Sequence, residues 1–101
     1  MAVAHFSQRA ELDLLSIGEY TLRTWGPTQA ARYLTELEAC CRRLTENPQS
    51  GRVCDRIRPG IRRMEQGRHV ILYRQKADSV LISRILHQSM APETHNIDNP
   101  S

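Results

Sequence analysis

Apolar residues along this chain follow two spacing regimes, and the change comes at Pro48. Before it they recur every three or four positions; from Ile61 onward they alternate. The first apolar stretch, Ala2 to Phe6, reads as a short strand. Ser7 follows as a helix cap, since its hydroxyl can accept an N–H left open in the first turn, and Glu11 and Asp13 suit the positive end of the helix dipole. Ala10, Leu14, Leu15, Ile17, Leu22 and Trp25 then step at helical spacing, which predicts one amphipathic helix ending near Gly26. Gly26-Pro27-Thr28 breaks and restarts the chain, with proline in a first turn where its missing N–H costs nothing. The second helix carries Ala30, Tyr33, Leu34, Leu37, Cys40, Cys41 and Leu44, with Arg42 and Arg43 in its last turns. It should end at Asn47, because Pro48 disfavours helical geometry in the residue before it.

Beyond Pro48, Gln49-Ser50-Gly51 and Arg58-Pro59-Gly60 are turn chemistry. Three strands are expected, Ile61 to Glu65, His69 to Gln75 and Val80 to His87, joined at Gln66-Gly67 and Ala77-Asp78-Ser79. Connections this short make an antiparallel meander. Strict alternation in the last strand puts Val80, Ile82, Arg84 and Leu86 on one face and Leu81, Ser83, Ile85 and His87 on the other. One face must pack on the helices and the other is left available to something else. The predicted class is α+β in the order β-α-α-β-β-β, a helical hairpin packed on a largely antiparallel four-stranded sheet. It forms one domain over residues 1–90, followed by an aperiodic C-terminal tail at 91–101 that is expected to be disordered.

Composition narrows the function classes. A chain of 101 residues supports a single two-layer core. No apolar run exceeds four residues, far short of the roughly 20 needed to span a bilayer, and the start lacks the basic-then-apolar pattern of a signal peptide. Three cysteines (40, 41, 54) without C-x-x-C spacing read as small apolar residues in a reducing, cytoplasmic setting. Four scattered histidines suggest no metal site. The five glycines show no phosphate-cradling pattern, and no G-x-S-x-G occurs, so no cofactor is expected. Charge says more. Thirteen of the fourteen basic residues are arginine, with Lys76 the exception. Before Gly51 there are five basic and six acidic residues, and from Gly51 onward nine and five. Seven arginines lie between Gly51 and Arg74 against Asp55 and Glu65. Guanidinium forks suit carboxylate and phosphate alike, so charge alone does not choose a partner. The one chemistry the inventory could support is RNA cleavage by 2′-hydroxyl attack, with His87, Glu65 and the arginines as proton-transfer groups and cations.

The segments Tyr20 to Gly26, Tyr33 to Leu44, Glu46-Asn47-Pro48 with Gly51-Arg52, Asp55 to Arg63, Gly67 to Arg74 and Arg84 to Met90 together resemble the ParE toxins of the RelE/ParE toxin-antitoxin superfamily. The likeness runs from about Phe6 to His95 with the elements in the same order. It implies a cytoplasmic toxin that inhibits DNA gyrase and is neutralised by a ParD-like antitoxin, acting by binding and without catalysis of its own. No cofactor, no membrane and no direct sequence-specific nucleic-acid contact is implied. The antitoxin would lay apolar anchors along the helical hairpin, at Trp25 and Tyr33, and acidic groups against Arg58, Arg62, Arg63 and Arg68. The region that the family associates with toxicity maps to Arg84, Leu86, His87 and Met90. The chain departs from the common pattern after Met90, where Ala91-Pro92 stands in place of a frequent acidic residue. RelE-type relatives on the same fold are ribosome-dependent mRNA endonucleases, and they supply the alternative reading with His87, Arg63 and Glu65 as its set. The lysine pairs of one nuclease branch are missing here.

Overall fold

The computed structural model describes residues 3–89. Strand β1 (Val3–Phe6) leads into helices α1 (Gln8–Trp25) and α2 (Pro27–Glu46). A 3₁₀ turn (Pro48–Ser50) and strands β2 (Arg52–Val53), β3 (Ile61–Gln66), β4 (His69–Gln75) and β5 (Ser79–His87) follow. The helices form a hairpin on one side of a sheet ordered β1-β5-β4-β3-β2, in which β1 runs parallel to β5 and every other pair is antiparallel. The expected α+β class and element order hold, with one correction: the sheet has five strands rather than four. The additional strand is β2, whose Arg52 and Val53 pair with Arg63 and Arg62. Two residues are too few to show a period, so only the pairing defines it. Met90 and the tail at 91–101 lie outside the described residues.

The helix boundaries follow from local chemistry. Ser7 accepts the Ala10 N–H at 3.0 Å and caps α1, while Gly26, at φ +92°, separates the helices and Pro27 opens the second. Ala10 and Ile17 of α1 and Leu37, Cys40, Cys41 and Leu44 of α2 pack against Ile71, Tyr73, Val80, Ile82 and Ile85 of the sheet. Removing each large aliphatic side chain from water contributes roughly 1.5–3 kcal/mol, and this layer carries most of the fold's apolar burial. Burial pushes the Cys41 thiol up to about 12, aided by Cys40 and Glu38, so it stays protonated and packs as a small apolar group.

The far side of the sheet is not left open, in contrast to the expectation. Ile61, Val70, Leu72 and Leu86 form a second buried cluster, and the 54–60 loop folds over it with Cys54 and Ile57. Among the contacts that shape that loop, the Cys54 N–H donates to the Ile61 carbonyl (2.8 Å), the Gly60 N–H to the Asp55 carboxylate (3.0 Å), and the Arg74 guanidinium to the Pro59 carbonyl (2.7 Å). On the helix side, buried Tyr73 ties the 48–51 segment to β4. Its hydroxyl donates to the Pro48 carbonyl (2.6 Å) and accepts the Gly51 N–H (2.9 Å). A Cβ at residue 51 would run into the Tyr73 hydroxyl and the Arg63 carbonyl, so close backbone approach demands glycine there.

A β-bulge corrects the expected facing of the last strand. Tyr73 pairs with Ile82 and Leu72 with Arg84, which leaves Ser83 as an extra residue. Val80 and Ile82 before it and Ile85 after it all lie in the helix-side core, while Leu86 lies in the outer cluster. Leu86 therefore does not share a face with Val80, and Ile85 does. Asp13 of α1 holds the irregularity: its carboxylate accepts Arg84 Nε at 2.8 Å, Arg84 Nη2 at 3.0 Å and the Ile85 N–H at 2.9 Å. Ser7 braces the other end, donating its N–H to the Ile82 carbonyl (2.9 Å) and its hydroxyl to the Ser83 carbonyl (2.7 Å). The side chains of Arg84 and Asp13 are only 11% and 15% exposed, so solvent screens the pair weakly. Asp13→Ala removes the carboxylate from a mostly buried guanidinium and from the Ile85 N–H together and should cost about 3 kcal/mol in urea unfolding, whereas Asp13→Asn, which keeps an acceptor for Ile85, should cost less than half of that. An unchanged midpoint for Asp13→Ala would mean that strand pairing alone sets the bulge.

Candidate functional site

Between the helical hairpin and the end of β5 lies an open groove of about 760 Å³. Helix α1 lines it with Asp13, Ser16, Ile17, Tyr20, Thr21 and Trp25, and α2 with Gln29, Arg32, Tyr33 and Glu36. Arg68 and His69 close it from the β3–β4 turn, and Ile85, Leu86 and His87 from β5. The size fits a bound segment, and the wall is mainly apolar. Trp25 and Tyr20 stand 58% and 60% exposed along it, which is unusual for large aromatics that no other part of the described chain covers. The guanidinium groups of Arg32 and Arg68 make no ion pair or hydrogen bond among the described residues.

A hydrogen-bonded chain fixes the base of the groove. The Tyr33 hydroxyl accepts the Arg68 N–H at 3.0 Å and lies 2.5 Å from His69 Nδ1. The Tyr33 hydroxyl and His69 Nδ1 thus share one hydrogen bond, whose direction is set by the His69 tautomer. Burial holds the His69 pKa down at about 4, helped by the neighbouring His87 and opposed by Asp13. His69 and His87 stand directly opposite each other across β4 and β5, with ring centroids 5.4 Å apart in a T-shaped arrangement. The Ser89 N–H donates to His87 Nδ1 at 3.1 Å, which assigns that ring's proton to Nε2. Gly67 permits the approach of α2: its φ is +61°, and a Cβ there would sit 2.8 Å from the Tyr33 ring.

The site residues expected from sequence divide sharply. Trp25, Tyr33, Arg68 and His87 meet in the groove. Arg58 is exposed in the 54–60 loop, and Arg62 donates to the Gly51 carbonyl at 2.8 Å. Arg63 and Arg52 both reach Glu65 Oε2 at 3.0 Å. In β3, Ile61 belongs to the outer cluster and Met64 packs on the helix-side core, so Arg63 and Glu65 alternate onto the outer side, away from His87. The structure thus does not bring the nuclease set of His87, Arg63 and Glu65 together. Burial pushes the Glu65 carboxyl upward, but Arg63 and Arg52 outweigh it and hold the group below its usual range, ionised rather than ready to donate a proton. Arg84 is engaged by Asp13, and Leu86 is 1% exposed. Sequence reasoning missed Tyr20, Arg32, His69 and Asp13. The register of the β4–β5 hairpin alone would set His69 opposite Leu86, and only the bulge moves it to His87, so no local signal places either His69 or Asp13.

Comparison with known proteins addresses the same chain. The family model for the ParE toxin of the type II toxin-antitoxin system parDE matches residues 4–92. This chain belongs to the ParE toxin family. It is similar to Toxin ParE1 of Caulobacter vibrioides, at 42% identity over 88% of this chain and 92% of that one. Toxin ParE1 of Mycobacterium tuberculosis is 40% identical over 83% and 87%, and Toxin ParE of Escherichia coli 32% over 80% of each. A solved structure described as a chromosomal ParDE TA system from P. aeruginosa shares the fold, with a TM-score of 0.72 at 21% identity over 86% of this chain and 95% of that one. The chain is thus the toxin component of a type II toxin-antitoxin system. No helix among the described residues is long and apolar enough to cross a membrane.

The His69 environment gives a pH signature. Because its folded pKa lies below the unfolded value of about 6.5, the neutral ring favours the folded state; this contribution is complete above pH 6.5 and disappears as pH falls toward 4. The unfolding midpoint should drop over that window. His69→Gln should flatten the drop, and an NMR titration should show the His69 ring staying neutral at pH 5.5.

Proposed function

We propose that this ParE toxin inhibits DNA gyrase in the cytoplasm and is neutralised by a ParD-like antitoxin whose wrapping segment fills the groove. The observation that carries the antitoxin part is the pairing of exposed aromatics, Trp25 and Tyr20, with two unengaged guanidinium groups, Arg32 and Arg68. An amphipathic segment would bury apolar side chains on the former and set carboxylates on the latter. Gyrase inhibition rests on the ParE family membership. It is supported by the separation of His87 from Arg63 and Glu65 across the sheet, which leaves that candidate nuclease set unassembled among the described residues. The segment from Arg84 to Met90 is the proposed gyrase-contacting region. Within it, His87 offers its ring at the groove, whereas Arg84 and Leu86 act by holding the end of β5 in place.

Purified protein should block gyrase supercoiling or trap cleaved DNA, and equimolar antitoxin should relieve the effect. Translation-dependent mRNA cleavage that disappears in His87→Ala would overturn the gyrase reading. Arg68→Glu should weaken antitoxin binding by at least tenfold at low salt, with the loss shrinking as ionic strength rises. Unaltered affinity would place the antitoxin elsewhere.

A further inference from the structure

On the outer side of the sheet, remote from the groove, β2 and the start of the 54–60 loop enclose with β3 a second recess of about 370 Å³. Three arginines line it, Arg52, Arg56 and Arg63, together with Asp55. Its electrostatics are lopsided. Arg52 and Arg63 share a single oxygen of one carboxylate, Glu65 Oε2. Asp55 is occupied by the Gly60 N–H. Arg56 makes no ion pair or hydrogen bond among the described residues, and Arg63 Nε is buried with no partner. A buried donor without an acceptor destabilises the fold unless water or a ligand supplies one.

We propose that this recess is a phosphate-binding site. A carboxylate is planar with two oxygens and satisfies at most two guanidinium forks; Glu65 already fills that role and leaves Arg56 and Arg63 Nε unserved. A tetrahedral phosphate presents oxygens in three dimensions, which suits several guanidinium forks around one recess better than a planar carboxylate does. The recess contains no aromatic side chain to stack on a base, so recognition is of the phosphate itself. The source is either free phosphate or the phosphodiester backbone of a nucleic acid, bound without regard to sequence. Because the recess and the groove lie on opposite sides of the sheet, this site stands or falls independently of the antitoxin and gyrase assignments.

The test uses the full chain with two probes, inorganic phosphate and a fluorescein-labelled DNA duplex of about 20 base pairs, at low salt. Arg56 is exposed and makes no ion pair or hydrogen bond among the described residues, so Arg56→Ala should leave the fold intact, as an unchanged unfolding midpoint would confirm. It should weaken binding by about fivefold to tenfold and, for the duplex, reduce the slope of log affinity against log salt by about one. Glu65→Gln, which removes the competing carboxylate, should tighten binding. Arg58→Ala is the control, a neighbouring exposed arginine outside the recess, and should change affinity little. Arg56-dependent binding of the duplex assigns the site to a nucleic-acid backbone; Arg56-dependent binding of inorganic phosphate alone assigns it to free phosphate. Equal losses in Arg56→Ala and Arg58→Ala would reduce the site to diffuse surface charge and overturn it. So would no binding of either probe, or tighter Arg56-dependent binding of a polyglutamate peptide.

Discussion

The contact on which the site depends is the carboxylate of Asp13 set against the bulge in β5. An extra residue in a strand frees a backbone N–H from the ladder, and a buried N–H must find an acceptor. Asp13 accepts that of Ile85 and at the same time neutralises Arg84, so one side chain of α1 answers both consequences of the bulge. Once the register shifts there, Ile85 turns into the helix-side core, Leu86 turns out, and His87 comes to rest opposite His69. Without the shift, His87 would face the outer layer and the groove would lose its floor. Buried ion pairs contribute little net stability compared with well-packed apolar groups, and their best-attested use is to fix one arrangement against its neighbours. Here the arrangement fixed is the strand register, where a slip of one residue would exchange the two faces.

Much of this was legible in the sequence because its causes are local. Ser7, Gly26-Pro27 and Asn47-Pro48 mark helix ends through the chemistry of one or two residues, and the helices begin and end there. The change of period after Pro48 likewise located the three long strands. What stayed hidden is non-local. Strand β2 exists only through its pairing with Arg62 and Arg63, the 54–60 loop becomes a cover only when the outer cluster forms beneath it, and the bulge is stabilised by a residue 71 positions earlier in the chain. Trp25, Tyr33 and Arg68 could be singled out by residue type and family likeness. His69 and Asp13 acquire their meaning only when strands and helices are brought together.

The arginine bias also takes on a different meaning once the contacts are known. A single basic patch is what the composition suggests, yet the fold divides those arginines by task. Arg62 and Arg74 donate to backbone carbonyls of the 49–51 and 54–60 segments, a use that suits a flat, always-charged fork better than the compact, strongly hydrated ammonium of lysine. Arg52 and Arg63 hold Glu65, and Arg84 holds the bulge. Among the others, Arg32 and Arg68 line the groove, Arg56 lines the outer recess and Arg58 is exposed in the 54–60 loop. An excess of arginine in a small domain is therefore partly a structural device, and the functional fraction is found only by removing those that the fold itself consumes.

The groove and the end of β5 are one piece of architecture, and this bears on how neutralisation would work. His87 lines the groove and also lies within the segment proposed to contact gyrase, and its neighbour His69 is tied through Tyr33 to α2. A partner seated on Trp25 and Arg68 would thus cover the base of that segment without reaching any other part of the molecule. On the proposed assignments, inhibition by such a partner would need no conformational change in the toxin, because the two occupants would compete for the same few residues. The neutral state of His69 serves the same end: a charged imidazole there would repel the arginines at the rim and disturb the Tyr33 link, whereas the uncharged ring keeps the groove apolar at its base and cationic only at its edges. That division suits an amphipathic segment with apolar anchors and flanking acids, and it follows from where the bulge sets His87.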